Sequence, residues 1–245
     1  MVDDDEIAVV VSLPAIDATT QMVLMLHGGP GGQKDGPDNL YVDLAERLAA
    51  VDIASVRFDF RGCGESTGRY RDMTMQRQVD EMRAVRTFVD QQYRPARWAM
   101  IGDSYGATIG LLGLDPAYRC MVLLWPAIWL LDGAFASCLL PQNVAAAQQH
   151  GSVELDGEQI GLGFLRELQQ IGEVSSPLAG LTTPTLFVHG TADREVPVRQ
   201  STRAGGLVAG EKKVVAVDDG DHCLSRPHER EIVYRETVNW IRRHG

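Results

Sequence analysis

The sequence of 245 residues contains few cysteines, no long apolar run and a deficit of positive charge. Its four cysteines form no C-x-x-C pair, which argues against a zinc or disulfide framework and favours free thiols in a reducing compartment. No stretch of 18 apolar residues occurs, so no membrane span is expected. Residues 1–6 are acidic and lack the pattern of a secretory signal, which leads us to expect a cytoplasmic protein.

The shortage of positive charge also limits the class of partner. The chain has 23 Lys and Arg against 33 Asp and Glu, a formal net charge of -10, which argues against nucleic acid or an anionic membrane surface as the main partner. A composition of 44% hydrophobic and 23% charged residues is ordinary for a globular protein. The charge balance says little more about function, because many enzymes are acidic. The oligomeric state stays open, with a homodimer among the alternatives.

One stretch carries the strongest chemical signal. The apolar segment 99–101 predicts a buried strand, the turn 102–106 fits the pattern G-x-S-x-G, and small and apolar residues then predict a buried helix. This order of strand, sharp turn and helix is typical of a nucleophile elbow, which predicts Ser104 as the nucleophile. A second match to the pattern surrounds Ser66, but no strand precedes it and no buried helix follows.

Strands and helices alternate along most of the chain. Apolar runs predict strands at 7–13, 22–26, 54–58, 120–125, 185–188 and 213–217, and helical spacing predicts helices at 39–51, 79–89, 198–208 and 228–243. This alternation predicts one α/β domain with a mainly parallel central sheet and helices on both faces.

The alternation stops at about 127–178. Asp156-Gly157 predicts a hairpin turn in this segment, which also contains more aromatic and aliphatic residues than a solvated loop would carry. We interpret it as a small cap inserted into the domain. Trp129, Phe135 and Phe164 are the residues that we expect to contribute to an apolar substrate pocket.

A serine hydroxyl needs an adjacent base, and a histidine base needs a carboxylate that fixes its tautomer. His222 follows the last predicted strand and Asp193 follows the strand before it, so both are placed at the sheet edge where Ser104 lies. Asp132, which follows the strand 120–125, is the alternative carboxylate. Asp218, Asp219 and Asp221 surround His222, and we interpret them as a solvated loop rather than a metal site.

These motifs together resemble the α/β-hydrolase superfamily over nearly the whole chain. The resemblance rests on H-G-G-P-G-G at 27–32, D-x-R-G-x-G-x-S at 59–66, the elbow, H-G-x-x-D at 189–193 and G-D-H at 220–222. The short insertion is similar to the small cap of feruloyl-esterase-like acyl hydrolases, and the loop 27–32 is similar to that of proline iminopeptidases.

The resemblance implies how the site would work. The backbone N–H groups of Gly29 and Tyr105 would form the oxyanion hole, and Gly28 would shape the substrate-binding loop. The implied reaction is cofactor-free and metal-free hydrolysis of a small-molecule carboxylic ester. Because a histidine base must be neutral to accept the serine proton, we expect activity above an acid limb at about pH 6–7.

Other reactions of the same residues stay open, namely thioester or amide hydrolysis and acyl transfer. An aminopeptidase would need carboxylates in the cap, where Glu154, Glu158, Glu167 and Glu173 are available. A non-catalytic binding protein of this superfamily usually lacks one residue of the Ser–Asp–His set, whereas this chain has all three. A dehalogenase would need a carboxylate at the position of Ser104.

Overall fold

The computed structural model describes residues 5–15, 21–29 and 31–245. Pro30 of the loop 27–32 and the first four residues of the acidic N-terminal stretch lie outside these ranges. The strands of the described chain are β1 (Val9–Ser12), β2 (Gln21–Leu26), β3 (Ala54–Phe58), β4 (Arg97–Asp103), β5 (Tyr118–Leu124), β6 (Ser152–Leu155), β7 (Glu158–Gly161), β8 (Thr185–Gly190) and β9 (Lys212–Val217).

Seven of these strands form one sheet in the order β1-β3-β2-β4-β5-β8-β9. All neighbouring pairs are parallel except β1 and β3, which are antiparallel with Val9 opposite Phe58. The predicted mainly parallel sheet is therefore confirmed. Within the described residues, β6 and β7 pair only with each other and form an antiparallel hairpin.

Helices cover both faces of the sheet. Their bounds are α1 (Leu40–Ala49), α2 (Met75–Tyr93), α3 (Tyr105–Leu112), α4 (Pro141–His150), α5 (Leu162–Ile171), α6 (Arg199–Leu207) and α7 (Pro227–His244). Short 3₁₀ turns occupy Pro37–Asn39, Tyr70–Asp72, Ala134–Leu139 and Ser176–Leu178. None of the helices in the described ranges combines the length and apolar composition needed to cross a bilayer.

The strand period explains why two helical layers are needed. Successive side chains of a strand point to opposite faces of the sheet. In β2, Leu24 and Leu26 join the core that α2 and α3 complete, whereas Val23 and Met25 join the core that α1 and α7 complete. A strand that is buried on both faces reads as a continuous apolar run, which is how β2 reads in the sequence.

The carboxyl ends of the parallel strands lie together at one edge of the sheet. Leu26 of β2 is level with Gly102 of β4, and Gly102 is level with Leu123 of β5. Gly190 of β8 is level with Val217 of β9. The loops that follow these strands therefore meet at this edge, and they contain most of the residues predicted to carry chemistry.

The segment between β5 and β8 is more regular than the sequence indicated. It contains α4, the β6–β7 hairpin and α5, with Asp156 (φ 50°) and Gly157 (φ 84°) forming the two-residue turn of the predicted hairpin. The hairpin packs against the 3₁₀ turn Tyr70–Asp72, where a Cβ on Gly161 would lie 1.8 Å from the Arg71 carbonyl oxygen.

Candidate active site

Ser104 occupies a sharp turn between β4 and α3, with φ 49° and ψ −117°. A non-glycine residue in this region is strained and persists only where its surroundings fix it. Two glycines permit the close packing that does so, because a Cβ on Gly106 would lie 2.0 Å from the Leu26 carbonyl oxygen and one on Gly102 would lie 2.8 Å from the Ala107 nitrogen. The backbone N–H of Ser104 donates to the Leu124 carbonyl at 2.9 Å.

A chain of hydrogen bonds connects Ser104 to two side chains from other loops. His222 Nε2 lies 3.0 Å from Ser104 Oγ, and His222 Nδ1 lies 2.7 Å from Asp193 Oδ2. An ionised carboxylate only accepts hydrogen bonds, so Nδ1 carries the proton and Nε2 of the neutral ring accepts from the serine hydroxyl. The structure thus brings together the three residues that the sequence singled out, with the histidine in the tautomer that a base requires.

The Asp193 carboxylate is held by four donors. Oδ1 accepts from the backbone N–H groups of Glu195 and Val196, both at 2.9 Å, and Oδ2 accepts from His222 and, at 3.0 Å, from His189 Nε2. Burial by itself would raise the pKa of Asp193, but the hydrogen bonds from His189 and His222 outweigh it and hold the pKa well below its ordinary value. Asp193 is therefore a fixed negative charge behind His222.

The pKa of His222 is shifted in the opposite direction. Burial opposes the charge on its ring, but the hydrogen bond and the charge of Asp193, together with Glu195 and Asp103, raise the pKa of His222 above 6.5. The Glu195 carboxylate lies 3.7 Å from His222 Nε2. An imidazolium at this position is thus favoured by its surroundings.

The loop after β2 lies beside Ser104. The Gly28 N–H donates to Asp103 Oδ1 at 3.1 Å, and a Cβ on Gly28 would lie 3.2 Å from Ser104 Cβ. Gly29 and Tyr105 border the same cavity as Ser104. Because Tyr105 is the first residue of α3, its N–H is one of the helix-end donors that have no acceptor within the helix. The two residues expected to supply the oxyanion donors therefore border the same cavity as Ser104.

Two cavities of different character meet at Ser104. The first is narrow and mainly apolar, with walls that include Tyr70, Met73, Phe135, Cys138, Ile160 and Phe164. The second is an open cleft of about 850 Å³, bordered by the loop 27–39 and by the carboxylates of Asp156 and Glu195. No Lys or Arg borders the open cleft within the described residues.

Two of the three aromatic residues expected at a pocket line one. Phe135 and Phe164 border the apolar cavity, with ring centroids 5.4 and 5.9 Å from the Tyr105 ring. The expectation for Trp129 is wrong, since it borders neither cavity. Its ring packs under the Arg203 guanidinium at 4.0 Å, and its backbone N–H donates to Gln200 Oε1 at 2.9 Å, so it packs against α6.

The alternative residues, Asp132 and Ser66, are hydrogen-bonded to other groups. Asp132 is hydrogen-bonded to Arg199 Nε at 3.1 Å and pairs with that guanidinium, while His222 Nδ1 is bonded to Asp193. Ser66 Oγ donates to the Asp59 carbonyl at 2.6 Å and accepts from the Ala8 N–H at 2.9 Å, so it braces a loop.

Two aspartates of the acidic loop around His222 are likewise bonded to nearby groups. Asp219 pairs with Arg226, and Asp221 accepts from the Ser225 backbone N–H at 3.1 Å. Across the described residues, no group of three or more His, Cys, Asp or Glu side chains is arranged to hold a metal ion.

Sequence reasoning missed two carboxylates at this site. Asp103 occupies the variable position just before Ser104 and is nearly fully buried, and Glu195 follows the H-G-x-x-D motif by two residues. The signal for Asp103 was an acidic residue directly after a buried apolar strand, where a charge must find a partner. Nothing in the local sequence marks Glu195 as facing His222, because the turn after Asp193 decides where it points.

Comparison with known proteins identifies the architecture. Residues 18–151, more than half of the chain, match the family model described as serine aminopeptidase, S33. A monoacylglycerol lipase of Mycolicibacterium smegmatis is 25% identical over 240 residues, which cover 83% of both chains. The protein YfhR of Salmonella typhimurium is 25% identical over 224 residues, which cover 88% of this chain and 69% of that protein.

Solved structures share the whole fold. Est1E from Butyrivibrio proteoclasticus with bound ferulic acid superposes with a TM-score of 0.85 at 21% identity, covering 100% of this chain and 97% of that one. A putative hydrolase from Agrobacterium vitis has a TM-score of 0.80 at 25% identity, covering 98% and 95%. The fold is therefore that of the α/β-hydrolases.

Proposed function

The chain belongs to the serine aminopeptidase S33 family of hydrolases, and we propose that it cleaves a carboxylic ester through an acyl-enzyme on Ser104. The observation that carries this proposal is the hydrogen-bonded series from Ser104 Oγ through His222 to Asp193, located at a strained elbow on the carboxyl edge of the sheet. Such a series gives a hydroxyl the base that it lacks at neutral pH.

Each step uses a group with a fixed position. Ser104 Oγ attacks the ester carbonyl while His222 Nε2 takes the hydroxyl proton, and Asp193 stabilises the imidazolium. The carbonyl oxygen becomes an oxyanion, which the N–H groups of Gly29 and Tyr105 stabilise. The C–O bond to the alcohol then breaks, and His222 returns the proton to the leaving oxygen. Water attacks the acyl-enzyme by the same steps and releases the acid and Ser104.

The two cavities support an assignment of the substrate's halves. The narrow apolar cavity beside Gly29 and Tyr105 suits an acyl group, because apolar walls favour groups without hydrogen-bonding needs. The open cleft is bordered by Asp35 and Asp38 in addition to Asp156 and Glu195, which both cavities share. It therefore suits an uncharged or cationic alcohol and disfavours an alcohol that carries a negative charge. The similarity to a monoacylglycerol lipase is consistent with an ester of a polar alcohol.

We also propose that residues 127–178 act as a cap over the nucleophile. Phe135, Ile160 and Phe164 of this segment border the apolar cavity, and Asp156 at the hairpin turn borders both cavities. The segment is tied to the body near the site, because the Ala134 N–H donates to the Glu195 carbonyl at 2.9 Å. The cap would thus supply much of the acyl pocket, while Ser104, His222 and Asp193 belong to the body.

The test is intact-mass analysis after exposure to a fluorophosphonate, followed by turnover of matched p-nitrophenyl esters, thioesters and aminoacyl p-nitroanilides. We expect one adduct, loss of the adduct and of ester turnover in Ser104→Ala, and retention of both in Ser66→Ala. Ser66 is the matched control because it lies in the same G-x-S-x-G pattern. A folded Ser66→Ala variant that fails to label, or a wild type that fails to label, would contradict the proposal.

An aminopeptidase is the alternative that the family's description raises. The four cap glutamates expected to serve it, Glu154, Glu158, Glu167 and Glu173, border neither cavity. Faster release of nitroaniline from aminoacyl substrates than of nitrophenol from esters would favour this alternative, and it would leave the Ser104 adduct in place.

A further inference from the structure

Asp103 is a buried carboxylate that the proposed reaction does not use. It ends β4, directly before Ser104, and only 4% of its surface is exposed. Its Oδ1 accepts the Gly28 N–H at 3.1 Å. The Tyr41 hydroxyl, which donates to the Leu26 carbonyl at 2.9 Å, lies within hydrogen-bonding reach of the same carboxylate. Removing a carboxylate from water is costly unless it is paired or hydrogen-bonded, so the partners of Asp103 indicate its role.

We propose that Asp103 is the positioning residue of the oxyanion loop: it anchors the Gly28 peptide so that the Gly29 N–H stays available beside Ser104. This inference rests on the proposed function, since it assigns a use to a residue of that same site. Asp103 acts through the loop, and no direct contact of Asp103 with the substrate is needed.

The contact with Gly28 is specific in two ways. First, it uses the N–H of Gly28, so that this donor is satisfied and Gly29 is the residue of the pair whose N–H is left for an oxyanion. Second, the carboxylate fills the space beside Gly28, because a Cβ there would lie 2.7 Å from Asp103 Oδ2. The Gly28 N–H lies in the peptide that joins His27 to Gly28, so its bond to Asp103 fixes that planar unit. The next peptide, which carries the Gly29 N–H, is held through its carbonyl, because Gly28 O lies 2.7 Å from His27 Nδ1.

The charge of Asp103 has a second consequence, for His222. Burial raises the pKa of Asp103 to about 6, against the opposing effects of Tyr41, His222 and the Gly28 N–H. The groups that face it are Tyr41 from α1, the Gly28 N–H from the loop after β2, and His222 with the Cys223 thiol from the loop after β9. Above about pH 6 the ionised carboxylate attracts the His222 imidazolium, so removing the charge should lower the pKa of His222.

Two substitutions separate the anchor from the charge. Asp103→Asn keeps an oxygen that can accept the Gly28 N–H, and its new NH₂ can donate to the Tyr41 oxygen. Asp103→Ala removes both the acceptor and the charge. Loss of an oxyanion donor lowers kcat by about 10²–10³-fold, and a loosened donor should lower it less. We therefore expect Asp103→Ala to lower kcat by about 10–100-fold with little change in KM, and Asp103→Asn to restore kcat to within about 3-fold of wild type.

The experiment measures kcat, KM and the pH profile of kcat/KM with a p-nitrophenyl ester, together with inhibition by an alkylboronic acid, which forms a tetrahedral adduct. Asp103→Ala should weaken boronic acid inhibition in parallel with kcat, whereas a merely structural effect would not follow kcat. The acid limb should move to lower pH in both variants. Where Asp103→Ala does not fold, Asp103→Leu, which fills the space but offers no acceptor to the Gly28 N–H, should lower kcat in the same way.

The outcomes separate this inference from the proposed function. Wild-type kcat in folded Asp103→Ala, or equal losses in the Ala and Asn variants, would overturn the anchoring by Asp103, and labelling of Ser104 would be unaffected. Failure of the wild type to label at Ser104 would overturn the proposed function itself.

Discussion

Replacement of Asp193 by Asn tests the tautomer on which the proposed mechanism depends. Oδ1 of Asp193 accepts two backbone N–H groups, from Glu195 and Val196, whereas Oδ2 faces His222 Nδ1 and His189 Nε2. An asparagine must place its single oxygen toward one of these pairs. The backbone donors cannot change their protonation, so the oxygen stays at Oδ1 and the NH₂ group takes the position of Oδ2.

That orientation reverses the hydrogen bond to His222. The NH₂ group would donate to Nδ1, and the neutral ring would then carry its proton on Nε2, where it cannot accept the proton of Ser104 Oγ. Loss of the tautomer in a Ser–His–Asp series costs about 10⁴-fold in kcat. This corresponds to about 5 kcal/mol of transition-state stabilisation. We expect a loss of this size with KM changed little, since no substrate contact is removed.

The assay is kcat/KM for a short-chain p-nitrophenyl ester and the rate of fluorophosphonate labelling, with circular dichroism to verify folding. Asp132→Asn is the control, because Asp132 lies in the same region and pairs with Arg199 at the surface. It should stay within about 2-fold of wild type, as surface substitutions usually do. A folded Asp193→Asn variant within 10-fold of wild type, with a large loss in Asp132→Asn, would refute the reasoning and assign the carboxylate to Asp132.

Three further predictions concern pH, acyl choice and stability. Because the pKa of His222 is raised, the acid limb of kcat/KM should lie above 6.5, and a limb below 6.5 in the wild type would contradict this. Phe135→Ala should favour aromatic over acetyl esters by about 1–3 kcal/mol in kcat/KM, whereas Leu131→Ala, on an exposed side chain, should not change the preference. Folding raises the pKa of Asp103 from 3.8 to about 6, so this group's contribution to stability is full below 3.8 and is lost as pH rises through 6. Asp103→Asn should therefore increase the free energy of unfolding by up to about 3 kcal/mol at pH 8, measured by urea denaturation, and by little at pH 4; equal effects at both pH values would contradict the burial of a charge.

The sequence predicted the sheet and the elbow because both depend on local patterns. Buried parallel strands such as β2 and β4 read as continuous apolar runs. The two glycines around Ser104 mark a turn whose backbone packs too closely for a side chain. Ser66 shows the limit of the pattern alone. The same five-letter pattern there forms a loop brace, and only the missing strand and helix distinguish it in the sequence.

Tertiary packing decided what the sequence did not. The segment 127–178 folds into α4, the β6–β7 hairpin and α5, although its weak periodicity indicated an irregular stretch. Trp129 reads as a pocket residue by composition, but its contacts with Gln200 and Arg203 place it against α6. Glu195 lies beside His222, and Asp103 lies beside Gly28. The two residues of each pair come from loops that are distant in sequence, so no spacing rule could pair them.

The five residues of the elbow, 102–106, differ in the substitutions that they tolerate. Positions 102 and 106 admit only glycine because backbone atoms occupy the space of a side chain. The positions on either side of Ser104 are under no such restriction. Asp103 faces the loop and the open cleft, and Tyr105 faces the apolar cavity. If the proposed function holds, substitutions at these two positions should alter the rate and the preferred acyl group independently, while the backbone turn at Ser104 stays the same.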